Sequence, residues 1–175
     1  MARVTYVKKS QKPWVCEKCG KQIEPGQPYK HVSPRSGPWE SGRKRVRCAD
    51  CPTWKPSELT FSKMAGVYAA VESFQEVMAS WSPEDGASDL EGALDELASE
   101  VEQVADEYEE SANNIVDGFG HETTQSDELQ EKADSLRDWA DEVRSAYQDI
   151  DEDVKGDDLQ SSVEDAVSIT DECPV

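Results

Sequence analysis

Four of the five cysteines fall in two matching pairs, Cys16 and Cys19 in WVCEKCG and Cys48 and Cys51 in RCADCP, with 28 residues between the pairs. A thiolate suits a soft or borderline metal, and each C-x-x-C turn presents two sulfurs while nearby backbone N–H groups support their charge. The spacing therefore points to a single zinc ion bound by Cys16, Cys19, Cys48 and Cys51. Four thiolates close a tetrahedral shell and leave no position where water could be activated, so the expected role of the metal is structural. A redox-active C-x-x-C pair is the competing chemistry. The fifth cysteine, Cys173, reads as a free thiol beside Pro174.

Other chemistry is hard to assemble. The chain has two histidines, His31 and His121, and lacks a Ser/His/Asp order or a phosphate-cradling glycine loop, so a non-enzymatic role is expected. His31 reads as a strand residue beside Tyr29, because the cysteines already complete a ligand set. Carboxylates are abundant, but on one solvated helix they have no evident reason for a raised pKa.

A second constellation interleaves cations with aromatics: Lys8, Lys9, Lys12 and Trp14; Tyr29 and Lys30; Trp39; then Arg43, Lys44, Arg45 and Arg47. Such a surface suits phosphates and unpaired bases. Alternation along RKRVRC puts Arg43, Arg45 and Arg47 on one strand face. The alternative is that the aromatics form the small core of a zinc module while the cations meet acidic groups of the same chain. Protein recognition is favoured over nucleic acid for this reason.

The elements that must position these residues divide by charge. Residues 1–55 hold 13 Lys and Arg against 4 Asp and Glu, a balance of +9, whereas residues 56–175 hold 5 against 34, a balance of −29. The basic part is rich in Pro, Gly and aromatic residues: IEPGQPYKHV offers a turn at Pro25 and Gly26 followed by an extended run from Tyr29 to Val32, and RKRVRC a returning strand. From Pro56 the texture becomes helical. Ser57 can cap a first helix carrying Phe61, Met64, Val67 or Tyr68, Val71, Phe74, Met78 and Trp81. A heptad seam follows through Leu90, Leu94, Leu97, Val101, Val104, Tyr108, Ser111 and Ile115, ending at Gly118 or Gly120. A third helix opens at a Thr124 and Asp127 capping box, with Leu129, Leu136, Val143 and Ile150 repeating every seven residues. Leu159–Val167 forms a last short helix. Short loops favour an antiparallel arrangement; a dimeric coiled coil is the competing one, giving the seam a role in homo-oligomerisation.

The expected fold class is thus α+β, mostly α. A small zinc-ribbon or treble-clef-like module occupies 1–55, an acidic antiparallel helical hairpin or three-helix bundle 56–152, and an acidic C-terminal tail 153–175. No apolar run approaches the roughly 20 residues needed to span a bilayer, and MARVTYVKKSQ lacks the apolar region of a signal peptide, so no membrane association and a cytoplasmic location are expected.

The opening RVTYVKKSQ, the pairs CEKCG and CADCPTW, the segment SGPWESGR and the run NNIVDGFGHETTQSDELQEKADSLRDWADE together resemble the small zinc-ribbon proteins of bacteriophages infecting actinobacteria. The resemblance spans most of the chain and implies a phage origin and a metal site, without implying a substrate. The expected function is a non-enzymatic interaction protein that uses a zinc module to recognise a host or phage macromolecule. A structural virion component, a nucleic-acid-binding regulator and a DNA mimic built from the acidic helices are the alternatives.

Overall fold

The computed structural model describes residues 3–32, 44–82, 84, 87–148, 157–171 and 173. Arg43, Trp39 and Ile150, named above from the sequence, lie outside them. The chain is α+β, with a small antiparallel sheet toward the N-terminus and long helices after it. It divides into two compact units, residues 1–65 and 66–175. The division falls ten residues beyond the change in charge, because Trp54 and Leu59 are buried with Val32 in the first unit.

In that unit, β1 (Val4–Val7), β4 (Tyr29–Val32) and β5 (Arg45–Cys48) form an antiparallel sheet in the order β1-β4-β5. The pair β2 (Trp14–Val15) and β3 (Gln22–Ile23) forms a second, two-stranded sheet around the first C-x-x-C turn. The turn expected at Pro25 and Gly26 closes with Gln27 N–H donating to the Glu24 carbonyl at 3.0 Å. Gly26 has φ +93°, the left-handed value that a type II turn asks of its third residue.

Register sorts the sheet into two faces. Tyr29 pairs with Cys48 and His31 with Val46, so these four point one way, toward Cys16, Ile23 and Trp14. Lys30 pairs with Arg47 and Val32 with Arg45, so these point the other way, toward Trp54 and the single turn α1 (Pro56–Leu59). A module this small has little apolar surface to bury, and both faces are nonetheless covered.

The helix expected from Ser57 onward is interrupted. After α1, Thr60 takes extended backbone at φ −102° and ψ 138°, and α2 runs only from Met64 to Ser80. The Ser62 carbonyl accepts from Ala65 N–H at 2.9 Å and restarts the helix, leaving Phe61 exposed instead of on the seam.

In the second unit α3 (Ser88–Phe119) and α4 (Thr124–Gln148) form an antiparallel hairpin, and α5 (Asp157–Asp171) packs on α4. Leu90, Leu94, Leu97, Val101, Val104 and Tyr108 are buried as the heptad pattern requires, opposed by Ala133, Leu136, Ala140 and Val143. The seam that could have faced another chain is thus covered within one chain, although Ser111 and Ile115 are only half-buried. Gly120 ends α3 at φ +73°, donating to the Val116 carbonyl at 2.7 Å. The cap of α4 lies one residue before the expected pair: Ser126 N–H donates to Thr123 Oγ1 at 3.1 Å, and Thr123 N–H to Ser126 Oγ at 2.8 Å. The last helix is longer than Leu159–Val167, and Trp139 Nε1 donates to the Ile169 carbonyl at 3.1 Å. Residues 157–171 are therefore part of the helical unit and not a separate tail. Among the described residues no helix is long and apolar enough to cross a membrane.

Candidate metal centre

Cys16 and Cys19 leave β2 in a turn closed by Gly20 N–H donating to the Cys16 carbonyl at 2.9 Å, with Gly20 at φ +71°. Cys48 ends β5, and Cys51 follows it after a turn that Pro52, having no N–H, cannot close as Gly20 closes the first. A hydrogen bond from Cys16 N–H to the Lys21 carbonyl closes the first knuckle, and one from Glu17 N–H to the Val46 carbonyl, each 2.9 Å, fixes it against the strand that carries the second. All four Sγ atoms consequently lie within 4.8 Å of one another. Two of the distances run between the turns, Cys16–Cys51 at 3.7 Å and Cys19–Cys48 at 3.8 Å. A tetrahedron with metal–sulfur bonds of about 2.3 Å has edges of about 3.8 Å, which these two distances match, and the remaining ones stay within 4.8 Å, so the cluster is compatible with a metal site.

The cysteines sit in unlike electrostatic surroundings. Burial raises the Cys16 thiol, but backbone N–H groups of Cys19, Cys48 and Lys18 aimed at the sulfur outweigh it and bring the pKa down to about 6. Cys51 is pushed up to about 12 by hydrogen bonding to Cys48 and Cys19 and by the charge on Cys16. Cys16 and Cys48 are buried, Cys51 is half-buried and Cys19 is exposed. Among the described residues no fifth side chain is grouped with the four. His31 is buried on the strand, its pKa lowered by burial and by nearby Lys44, and Tyr29 lies 5.8 Å from it ring to ring.

The candidate contact cations separate into two sets. Lys8, Lys9 and Lys12 are exposed, with Lys12 Nζ 4.4 Å above the Trp14 ring. Lys30 and Arg47 are buried, and Arg45 is half-buried. Arg45 and Arg47 do share a strand face, as alternation required, but that face packs against Trp54 and α1, burying Arg47 and leaving Arg45 partly exposed. Lys30 Nζ donates to the Cys51 carbonyl and, at 3.5 Å, toward that of Ala49. Arg47 is 4% exposed; its Nη1 donates to the Thr53 carbonyl at 3.2 Å and the Pro52 carbonyl at 3.4 Å, and its Nη2 pairs with Glu58. Arg47 Nε lies 3.3 Å from Glu17 Oε1 without the alignment of a hydrogen bond. The same guanidinium stacks 4.7 Å from the Trp54 ring, whose Nε1 donates to Glu17. Arg45 pairs with Glu17 at 2.8 Å.

The partners Glu17, Trp54 and Glu58 have no signal in the cysteine spacing, although Glu17 lies inside the first C-x-x-C turn. Backbone N–H groups face the Cys16 sulfur, and on the far side Lys30 takes the carbonyls of Ala49 and Cys51 and Arg47 those of Pro52 and Thr53. These cations therefore brace the second turn from behind. At the rim, exposed Lys21 and Asp50 join the two turns at 2.8 Å, lowering the Asp50 carboxyl and raising the Lys21 amine. No protein-family model, curated protein or solved structure matches the chain.

Proposed function

We propose that Cys16, Cys19, Cys48 and Cys51 hold one structural Zn²⁺ in a zinc-ribbon-like module, and that the chain is a non-enzymatic phage interaction protein recognising a host or phage protein. The observation that carries this reading is the closed set of four sulfurs backed by Lys30 and Arg47, whose donors are committed to the module itself. A tetrahedral four-sulfur site suits zinc or iron. Zinc is favoured because the reading asks the metal for folding alone, and zinc has no redox chemistry to manage. With Lys30 and Arg47 buried and Arg45 paired, three of the cations expected to meet phosphate are engaged elsewhere, which favours protein over nucleic acid as partner. Exposed Tyr6 and Val15, 69% and 63% accessible, supply the apolar groups that a protein contact uses.

Metal analysis of the purified full chain tests the first part. One zinc per chain, and its loss in the Cys48→Ser, Cys51→Ser double variant, is expected; a colourless protein also excludes the visible absorption of an iron–thiolate site. A stoichiometry near zero, or full retention in that variant, overturns the assignment. A pull-down from infected cells with and without nuclease tests the second part. Partners that survive nuclease support protein recognition, and partners lost with it indicate nucleic acid through Lys8, Lys9 and Lys12.

A further inference from the structure

The three-stranded sheet of the first unit has two outer edges, and they are treated differently. On the β5 side the first C-x-x-C turn lies against the strand, and Glu17 N–H donates to the Val46 carbonyl at 2.9 Å. On the opposite side is β1, whose residues Val4, Thr5, Tyr6 and Val7 pair with β4 alone. Antiparallel pairing uses the N–H and C=O groups of every second residue, so the others of β1 point outward. Among the described residues none of these makes a backbone hydrogen bond away from β4. Thr5 and Tyr6 are exposed, Tyr6 at 69%. Cations stand at both ends of the strand, Arg3 before it and Lys8 and Lys9 after it; all three are exposed and paired with no carboxylate among the described residues. An open strand edge is thus bracketed by positive charge that the described part of the unit does not neutralise.

We propose that the outer edge of β1 takes an extended segment of a partner protein as a fourth strand, one that carries carboxylates at both ends. The inference rests on the reading of the first unit as a protein-recognition module and names the chemistry it recognises. Main-chain hydrogen bonds supply affinity in such strand addition, and flanking side chains supply specificity. Here the flanking contacts are carboxylates against Arg3 at one end and against Lys8 and Lys9 at the other. Charge at this edge, and not net charge, selects the occupant. A second copy offering its own β1 antiparallel would set Val4 opposite Val7 and Arg3 opposite Lys8; a parallel copy would set each cation beside its own counterpart. Like charges directly opposite one another destabilise a strand pair. The β5 edge of such a copy is engaged by Glu17, and among the described residues its acid-rich segments are helices with no strand edge to offer. A phosphate backbone brings acceptors for the outward N–H groups but no donor for the outward C=O groups, whereas a peptide strand satisfies both.

The test uses the full-length protein and, as probe, the synthetic peptide Glu-Glu-Val-Thr-Val-Thr-Glu-Glu. The same peptide N-methylated at its central Val and Thr amides is the control, since it keeps the charge and loses the donors. The unmodified peptide is expected to bind and to slow hydrogen exchange at alternate amides of Val4, Thr5, Tyr6 and Val7, and N-methylation should weaken binding about tenfold or more. Lys8→Gln with Lys9→Gln should weaken it about fivefold, the scale of two exposed ion pairs, while unchanged β4 amide resonances report an intact sheet. Lys18→Gln with Lys132→Gln, the same charge change at exposed positions outside β1 and its flanks, should leave affinity within about twofold. Equal binding of the N-methylated peptide, or equal weakening by the two glutamine pairs, overturns the proposal in favour of general attraction to acidic chains. A single-stranded oligonucleotide that displaces the peptide and protects the same amides overturns it in favour of nucleic acid. Protection of those amides without peptide, in a dimer seen by sedimentation, overturns it in favour of a second copy. Partners that survive nuclease in the pull-down while this peptide fails to bind overturn the edge proposal alone and leave protein recognition standing.

Discussion

Arg47 shows how a small module places charge where larger proteins place leucine. Its stem and guanidinium fill the space under Trp54, and its donors bond carbonyls that the second C-x-x-C turn cannot satisfy internally. Removing such a group leaves those carbonyls and two carboxylates without it, and hydrogen bonds to charged groups are each worth about 1.5–3 kcal/mol. Arg47→Ala should therefore destabilise the first unit measurably in denaturant titration followed by tryptophan fluorescence. Lys8→Ala, Lys9→Ala and Lys12→Ala together should stay near the surface range of about 0.5 kcal/mol per site. Glu58 adds a pH signature. Burial raises its carboxyl, but Arg47 and the Lys55 N–H outweigh burial and hold it below the ordinary carboxylate range. Its contribution is then fully present above the unfolded value of about 4.3 and is lost as pH falls through the lower folded value. The stability difference between wild type and Glu58→Gln should accordingly be equal at pH 7 and pH 5.5 and shrink only in stronger acid. A difference that has already closed by pH 5.5 would contradict the lowered carboxyl. The strand alternation of Arg45 and Arg47 was legible in the sequence. What covers them was not, because the covering residues Trp54 to Leu59 lie beyond the second cysteine pair, where the charge pattern reads as the start of the acidic region.

At the scale of elements, the heptad seam was the most readable feature, since Leu and Val at steps of three and four over more than three heptads fit only one face of a long helix. The break between α1 and α2 was hidden by the same apolar periodicity, which runs through Phe61 although Thr60 takes extended backbone. The α4 cap was displaced by one residue because Thr123 and Ser126 supply the reciprocal bonds that Thr124 and Asp127 were expected to make. Leu97, 2% exposed, lies in the seam, and Leu97→Ala should cost about 2–5 kcal/mol in the helical unit. Gly66 supplies a sharper test of how α2 meets α3. A Cβ there would stand 2.8 Å from Val104 Cγ2, closer than carbon atoms approach. Helix propensity alone favours Gly66→Ala by about 1 kcal/mol, whereas overpacking costs about 1–3 kcal/mol. Net destabilisation is expected, and relief by a second change, Val104→Ala, should be more than additive if these two side chains are the point of conflict. A stabilised Gly66→Ala variant would show that α2 does not hold this close position.

At the scale of the whole molecule, the two units draw on different sources of stability. The first has short strands, two small buried clusters and a four-sulfur site, and a module of this size has little apolar surface to replace a lost ion. The second buries a continuous leucine, valine and alanine seam along α3 and α4, pinned in register by Arg137 and Arg144, whose pKa values are raised by their carboxylate partners. Those ion pairs are partly exposed and contribute little net energy individually, so the seam must supply most of the stability. Chelation should therefore act on one unit only. Treating the full chain with a strong zinc chelator should abolish the dispersed amide resonances of β4 and β5 while the helical circular dichroism near 222 nm is largely retained. Returning Zn²⁺ should restore the lost resonances, because the sulfurs of Cys16, Cys19, Cys48 and Cys51 come together only when the strands refold. Helical signal lost in parallel with the sheet would show that the units unfold as one. A sheet unaffected by chelation would show that Ile23, Val46 and the Arg47 network suffice without the ion, and would remove the structural role assigned to it.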